Sequence, residues 1–258
     1  MLDAGEKFVV RVGDDIPAHQ VMRFNERAAS EAAFRAGLSP QVVHAEPGIL
    51  VLRFIEARTL RPQDVRDPAT LQRIVALIAQ MHGQMQHHVR GPALVFWVFH
   101  VVRDYSHTLR AGGSAHVPKL PRLLEAAEQL EREIGPVSLA YCHNDLLAGN
   151  LLDDGSRLWL IDWDYAGFNS PLFDLANLAS NNELTPDAED WLLAAYFVGG
   201  MAAGLKRRYL AMKCASLLRE TLWSMVSEIT SELDFDYAGY TKDYLGRLEQ
   251  ALADLRNR

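Results

Sequence analysis

Three oxygen-bearing side chains stand at a spacing suited to moving a phosphoryl group. They lie in the stretch from Tyr141 to Asp174, YCHNDLLAGNLLDDGSRLWLIDWDYAGFNSPLFD, which holds the signature H-x-D-L-x-x-x-N in His143, Asp145, Leu146 and Asn150, and then a short apolar run that ends in Asp162. Asn150-Leu151-Leu152 and Leu158-Trp159-Leu160-Ile161 flank the polar segment Asp153 to Arg157. An Asp-Gly step between two apolar runs predicts a hairpin, here turning at Asp154 and Gly155. Such a turn leaves Asn150 and Asp162 at the open end, with Asp145 on the loop leading in. Magnesium takes oxygen ligands at about 2.0–2.1 Å, one or two of them protein carboxylates. Asn150 and Asp162 suit that role, and Asp145 is free to accept the proton of a substrate hydroxyl, with His143 completing the catalytic motif.

Positioning these groups takes a strand before the loop, the hairpin after it and a helical body beneath. HNDLLAGNLL, LIDWDYAGFNSPLFDLAN and LWSMVSEITSELDFDYAGY resemble the choline/ethanolamine kinase branch of the family that also contains aminoglycoside phosphotransferases. The resemblance runs from about Lys7 to the C-terminus. It implies an α+β, protein-kinase-like bilobal fold: a truncated, β-rich N-terminal lobe over residues 1–57 and a mainly helical lobe over 58–258 that carries catalysis and substrate. ATP and Mg2+ are the cofactors it implies, and a small amino alcohol is the partner, choline before ethanolamine, thiamine or an aminoglycoside.

Phe8 to Val12 reads as a strand, followed by the loop Gly13-Asp14-Asp15. By resemblance it carries the basic residue that meets nucleotide phosphates, Arg11. The acidic partner of Arg11 is expected on a helix from Asn25 to Gly37, whose apolar positions include Phe24, Ala28, Ala32 and Phe34. Glu26, in R-F-N-E, fits the family position better than Glu31. Ile49 to Leu52 reads as a second strand leading to Phe54, Ile55 and Glu56, where the resemblance puts the hinge that meets adenine. Only seven residues precede Phe8, too few for the two strands and Gly-rich loop of a nucleotide kinase. A catalytically inactive amine-binding module is therefore the rival expectation.

Asp67-Pro68 opens a helix with Leu71, Ile74, Val75, Ile78 and Met81 at helical spacing. His82, His87 and His88 near its end lack the i, i+4 pair of a helical zinc site and suit its C-terminal dipole. Further helices are expected from Pro121 to Ile134, from Thr185-Pro186 with Trp191, Leu192, Tyr196 and Phe197 buried, from Leu205 to Thr230 as an amphipathic stretch, and from Tyr237 to Leu255. Asp174 resembles the acidic residue that supports the catalytic loop from below.

A quaternary ammonium donates no hydrogen bonds, so aromatic faces backed by carboxylates must hold it. Asp164, Tyr165, Trp223 and Tyr240 fall on the positions that form that pocket in the kinases this chain resembles. Leu147 stands where a Gln is usual, Asn181 where an acid is, and Val226 where a second Trp is, which implies a looser pocket. Trp163 replaces the Phe of D-F-G.

The chain of 258 residues, 49% of them apolar, suffices for a substantial core. A formal charge of −7 with no Lys/Arg run argues against general nucleic-acid binding. No stretch is long and apolar enough to span a membrane, and acidic Asp3 and Glu6 stand where a signal peptide needs a basic and then apolar start. A cytoplasmic location is expected. Cys142 and Cys214 form neither a disulfide framework nor a ligand cluster.

Overall fold

A computed structural model describes residues 5–257. Strand β1 (Phe8–Val12), β2 (Val42–Glu46) and β3 (Ile49–Arg53) form an antiparallel sheet in the order β1-β3-β2. The described residues hold no strand before β1. Between β1 and β2 runs α1 (Arg23–Arg35), which buries Ala29, Ala32 and Ala33. Phe24 and Phe34, expected on its apolar face, are instead exposed. The small alanines let α1 lie close to the long helix α3 (Pro68–His88), and the bulky rings are left outside.

Past α1 the chain is tied to the hairpin of the site. Leu160 N donates to Leu38 O at 2.9 Å, Trp163 Nε1 donates to Ser39 Oγ at 2.7 Å, and the Ser39 hydroxyl donates to Leu160 O. The two-residue β4 (Arg58–Thr59) pairs with β6 (Leu151–Asp153), which pairs with β7 (Leu158–Leu160). Gly155, at φ +88°, takes the left-handed conformation the turn requires, and Asp154 Oδ1 accepts from the backbone N–H of Ser156 and Arg157. Arg73 on α3 grips Asp153 with two parallel bonds of 2.8 and 2.9 Å, fixing the hairpin to the helical body.

The rest is helical, apart from the buried pair β5 (Ala140–Cys142) and β8 (Gly167–Asn169). Short α2 (Pro62–Val65) precedes α3, whose five predicted apolar positions are all buried. Asp67 caps α3, accepting from Thr70 N at 2.9 Å. Then come α4 (Val98–Ala111), α5 (Leu120–Ile134), α6 (Pro171–Asn181), α7 (Pro186–Tyr196), α8 (Leu205–Thr230) and α9 (Tyr237–Arg256). Trp191, expected inside α7, is exposed on it, while Leu192 and Leu193 are buried.

Helix α8 is the centre of this body, packed by α4, α5, α6 and α9. Every residue from Cys214 to Leu222 is buried, so its middle has no solvent face. Each buried Leu there is worth roughly 1.5–3 kcal/mol of transfer free energy, before the entropic cost of ordering it. The same stretch carries Arg219 and Glu220 into the interior. Gly167 allows another close approach: a Cβ there would meet Leu94 O at 2.8 Å, and the segment 94–96 hydrogen-bonds Phe168 on both sides.

Candidate active site

The loop that carries the expected catalytic motif leaves β5 and is held from below by Asp174, on the first turn of α6. Ser170 caps that helix and Pro171 begins it, so the carboxylate sits at the positive end of the helix dipole. Its two oxygens accept the backbone N–H of His143 at 2.9 Å and of Asn144 at 2.7 Å. His82 Nε2–H donates to the same carboxylate at 2.9 Å, and His82 Nδ1 meets the Tyr196 hydroxyl at 2.7 Å. Burial alone would raise the Asp174 pKa, but these bonds and His82 hold it below the usual carboxylate range. His82 therefore supports the loop through Asp174 rather than serving its own helix terminus. Among the described residues His82, Cys142 and Asp174 are a cluster tight enough for a metal ion. The hydrogen bonds of His82 and Asp174 are committed to the loop and Tyr196, and burial pushes the Cys142 thiol well up, so the trio is a support and not a cation site.

Asn144, at φ +66°, turns the chain sharply; its amide donates to Tyr165 O at 2.9 Å and accepts from Asn169 at 2.8 Å. Leu146 N donates to Asn177 Oδ1, which fixes the far side of the loop. His143 is fully buried, bonded through Nε2–H to Ile161 O at 3.0 Å and packed on Trp163. Expected among the catalytic groups, it is buried with its ring committed to the Ile161 carbonyl and the Trp163 face.

Asp145 and Asn150 share one end of the hairpin. Asn150 Nδ2 donates to Asp145 O at 2.9 Å and lies 3.4 Å from Asp145 Oδ2, which leaves the Asn150 amide oxygen for another partner. Asp162 takes φ +67° and is about two-fifths exposed. Burial lifts the Asp145 carboxyl to about 7 against the opposing charge of Arg219, and the neighbouring Glu220, Asp162 and Asp164 push the same way as burial.

Arg11 binds Glu26 at 2.8 Å and Asp162 at 3.0 Å, and reaches Asp164 as well. Glu26 is thus the partner of Arg11, and Glu31 pairs with Arg27 and Arg35 instead. Burial would lower the Arg11 pKa, but the three carboxylates raise it above the normal value. Arg23 joins the cluster through Glu26 at 2.6 Å and Asp164 at 3.0 Å. The i, i+3 spacing of Arg23 and Glu26 was the only trace of it in the sequence. Asp164, expected in the amine pocket, is bonded to these two guanidiniums; burial, followed by Asp162, raises it to about 6.

A cavity of about 540 Å³ lies between the small sheet and the hairpin. Arg11, Glu26, Asp162 and Leu152 line it, as do Phe54 and Ile55 of the expected hinge. Glu56 pairs with Lys7, and Phe54 N donates to Lys7 O at 3.1 Å. Tyr165, Trp223 and Tyr240 form an aromatic group. Trp223 Nε1 donates to the Tyr165 hydroxyl at 3.1 Å, and the Trp223 and Tyr240 rings are 6.1 Å apart. Sequence reasoning missed what sits among them. Arg219, only 2% exposed, lies 4.3 Å from the Tyr165 ring centre and donates to Glu220 at 2.7 Å; the other Glu220 oxygen accepts from the Tyr240 hydroxyl at 2.8 Å. Asn181 faces no hydrogen-bond partner. No helix among the described residues is long and apolar enough to cross a membrane.

A family model described as choline/ethanolamine kinase matches residues 3–190. The LicA protein of Haemophilus influenzae is 30% identical over 250 residues, 91% of this chain and 91% of that protein. Among solved structures, a choline/ethanolamine kinase family protein from Mesorhizobium loti is 28% identical, with a TM-score of 0.80 over 96% of this chain and 83% of that one. The choline kinase LicA from Streptococcus pneumoniae, 22% identical, has a TM-score of 0.81 over 97% and 87%. The α+β, protein-kinase-like fold expected from the sequence is the fold of the chain.

Proposed function

This chain belongs to the choline/ethanolamine kinase family, a family of phosphotransferases acting on alcohol groups, and we propose that it transfers the terminal phosphate of ATP to the hydroxyl of choline. What carries the reading is one juxtaposition. Asp145 and Asn150 meet at the end of a hairpin that also carries Asp162, which lines a cavity with Arg11 and Phe54, and Asp145 lies 3.7 Å from Arg219, itself packed on the Tyr165 ring.

On this reading residues 1–57 face the nucleotide and 58–258 hold the acceptor and the chemistry. Adenine enters the cavity beside Phe54 and Ile55, and Arg11, held by Glu26, exchanges Asp162 and Asp164 for the phosphates. A guanidinium forks onto phosphate oxygens as readily as onto carboxylate. Asn150 and Asp162 would hold Mg2+; an amide oxygen and a half-exposed carboxylate are the hard oxygen donors that ion prefers. The bound ion would neutralise charge on the phosphate oxygens. Asp145 takes the hydroxyl proton as the hydroxyl oxygen attacks the terminal phosphorus and ADP leaves. Burial, which favours the protonated form of Asp145, suits it to take that proton. Tyr165, Trp223 and Tyr240 supply aromatic faces for the ammonium.

A second reading, ethanolamine as the acceptor, is favoured by Glu220. Its buried carboxylate is a hydrogen-bond acceptor that a primary ammonium can use and a quaternary one cannot. The deciding test is ADP release with Mg2+ and ATP, with choline or ethanolamine added, beside the Asp145→Asn variant. Acceptor-stimulated release that the variant loses is expected. Acceptor binding with no release would overturn the kinase reading in favour of an amine-binding module.

A further inference from the structure

Arg219 is a buried cation with work left to do. Its Nη1 donates to Glu220 at 2.7 Å, yet its Nε and Nη2 are buried without any hydrogen-bond partner. Buried guanidinium donors are almost always satisfied, so two left open on one side chain call for an acceptor from outside the chain. The side chain is not free to swing toward another partner. It is clamped over the Tyr165 ring at 4.3 Å, within 5.8 Å of the Phe96 ring, and held by Glu220, itself fixed by Tyr240.

The second observation is the distance to the catalytic carboxylate. Arg219 Nη1 and Asp145 Oδ1 are 3.7 Å apart, beyond the 2.7–2.9 Å of a charge-assisted hydrogen bond. One oxygen atom seated beside both would be within bonding reach of each. The catalytic loop offers no cation of its own there, because Leu147, two residues after Asp145, is apolar.

We propose that Arg219 is a catalytic residue of the phosphoryl transfer: its guanidinium, whose Nη1 lies 3.7 Å from Asp145 Oδ1, holds the acceptor hydroxyl oxygen against Asp145 and carries the negative charge that grows on that oxygen. This rests on the kinase reading above. The O–H proton passes to Asp145, the oxygen lone pair forms the new bond to the terminal phosphorus, and the bond from that phosphorus to the ADP oxygen breaks. Arg219 gives up no proton; it meets the oxygen more strongly as the charge develops, which is where donor groups lower a barrier.

The test uses the full chain with Arg219→Lys and Arg219→Ala, the latter with and without guanidinium ion. Both variants should lose on the order of 100-fold in kcat with acceptor, a typical cost for one such donor, while KM for ATP moves less than about threefold. Guanidinium should restore part of the kcat of Arg219→Ala and none of that of Asp145→Asn. A merely structural Arg219 predicts no such rescue. If Arg219→Ala does not fold, judged by thermal unfolding, Arg219→Lys alone decides. A kcat within threefold of the parent in either folded variant overturns the proposal, as does the absence of guanidinium rescue in folded Arg219→Ala. A parent chain that phosphorylates no amino alcohol fails the kinase reading instead, and the proposal with it.

Discussion

Asp174 and His82 meet at 2.9 Å beneath the loop of His143 to Asn150, both sealed from solvent. They come from helices far apart in the chain, and the carboxylate between them carries the backbone of His143 and Asn144. The loop therefore inherits its shape from a buried charge.

Asp174→Asn is expected to turn one amide N–H toward a backbone donor and to lose the charge that His82 faces. Removing one partner from such a buried network costs about 3–5 kcal/mol, readable as a lower denaturant midpoint. His82→Phe leaves the loop bonds in place but strips Asp174 of one partner, and should cost about 1–3 kcal/mol. The measurement is urea unfolding of both variants; an Asp174→Asn midpoint equal to the parent's would show that the loop holds itself.

Arg11 holds Glu26, Asp162 and Asp164 at once. Arg11→Lys keeps the charge but cannot fork between three carboxylates or onto a phosphate. KM for ATP should rise about 10-fold with Lys and more with Met, 10-fold being about 1.4 kcal/mol of binding, while KM for the acceptor stays put. Asp162→Asn should cut turnover at saturating Mg2+ by at least about 100-fold. Titrating turnover against Mg2+ in each variant separates the two roles, since Arg11→Lys should leave the half-saturating Mg2+ nearly unchanged.

Much of this was legible beforehand for physical reasons. The Asp-Gly step between apolar runs encodes its own turn, so the hairpin and the approach of Asn150 to Asp145 followed from local chemistry. The bounds expected for α8 hold, but the amphipathic face expected of it does not, because its middle is buried on every side. Helix α4 was not legible: Val98, Phe99, Val101, Val102 and Tyr105 are residue types that favour strands, and only packing against α8 decides otherwise. The strands β5 and β8, of three residues each, are too short for a period. Arg219 and Glu220 were missed because adjacent opposite charges on a helix ordinarily mark its solvated face. Nothing local says that α8 is enclosed by four helices.

His19 offers a pH signature separate from catalysis. Burial, with the nearby Arg219 charge adding to it, pushes its ring down to about 4, against 6.5 in an open chain. The unfolded state then binds more protons between those values, so its contribution to stability is complete above pH 6.5, falls as pH drops toward 4 and is constant below. The loss is on the order of 3 kcal/mol across that window. Replacing His19 with Gln, which titrates nowhere, should flatten the slope of unfolding free energy between pH 4 and 6.5. An unchanged slope would mean that His19 accepts its proton in the folded protein.

Glu220 tests the choice of amine. Its two oxygens are held by Arg219 and by the Tyr240 hydroxyl, which aims the carboxylate into the aromatic group instead of at solvent. If it binds the substrate ammonium, Glu220→Gln keeps the shape and removes the charge. KM for ethanolamine should then rise about 10- to 100-fold, the weight of one charge-assisted bond of about 1.5–3 kcal/mol, with kcat within threefold. Choline donates no hydrogen bond, so its KM should rise less, by the Coulombic share alone. Tyr240→Phe should reproduce a smaller version of the same bias by letting the carboxylate turn. Equal rises for the two amines would mean that Trp223, Tyr165 and Tyr240 select by shape, and a change in kcat alone would mean that Glu220 acts only by holding Arg219 in place.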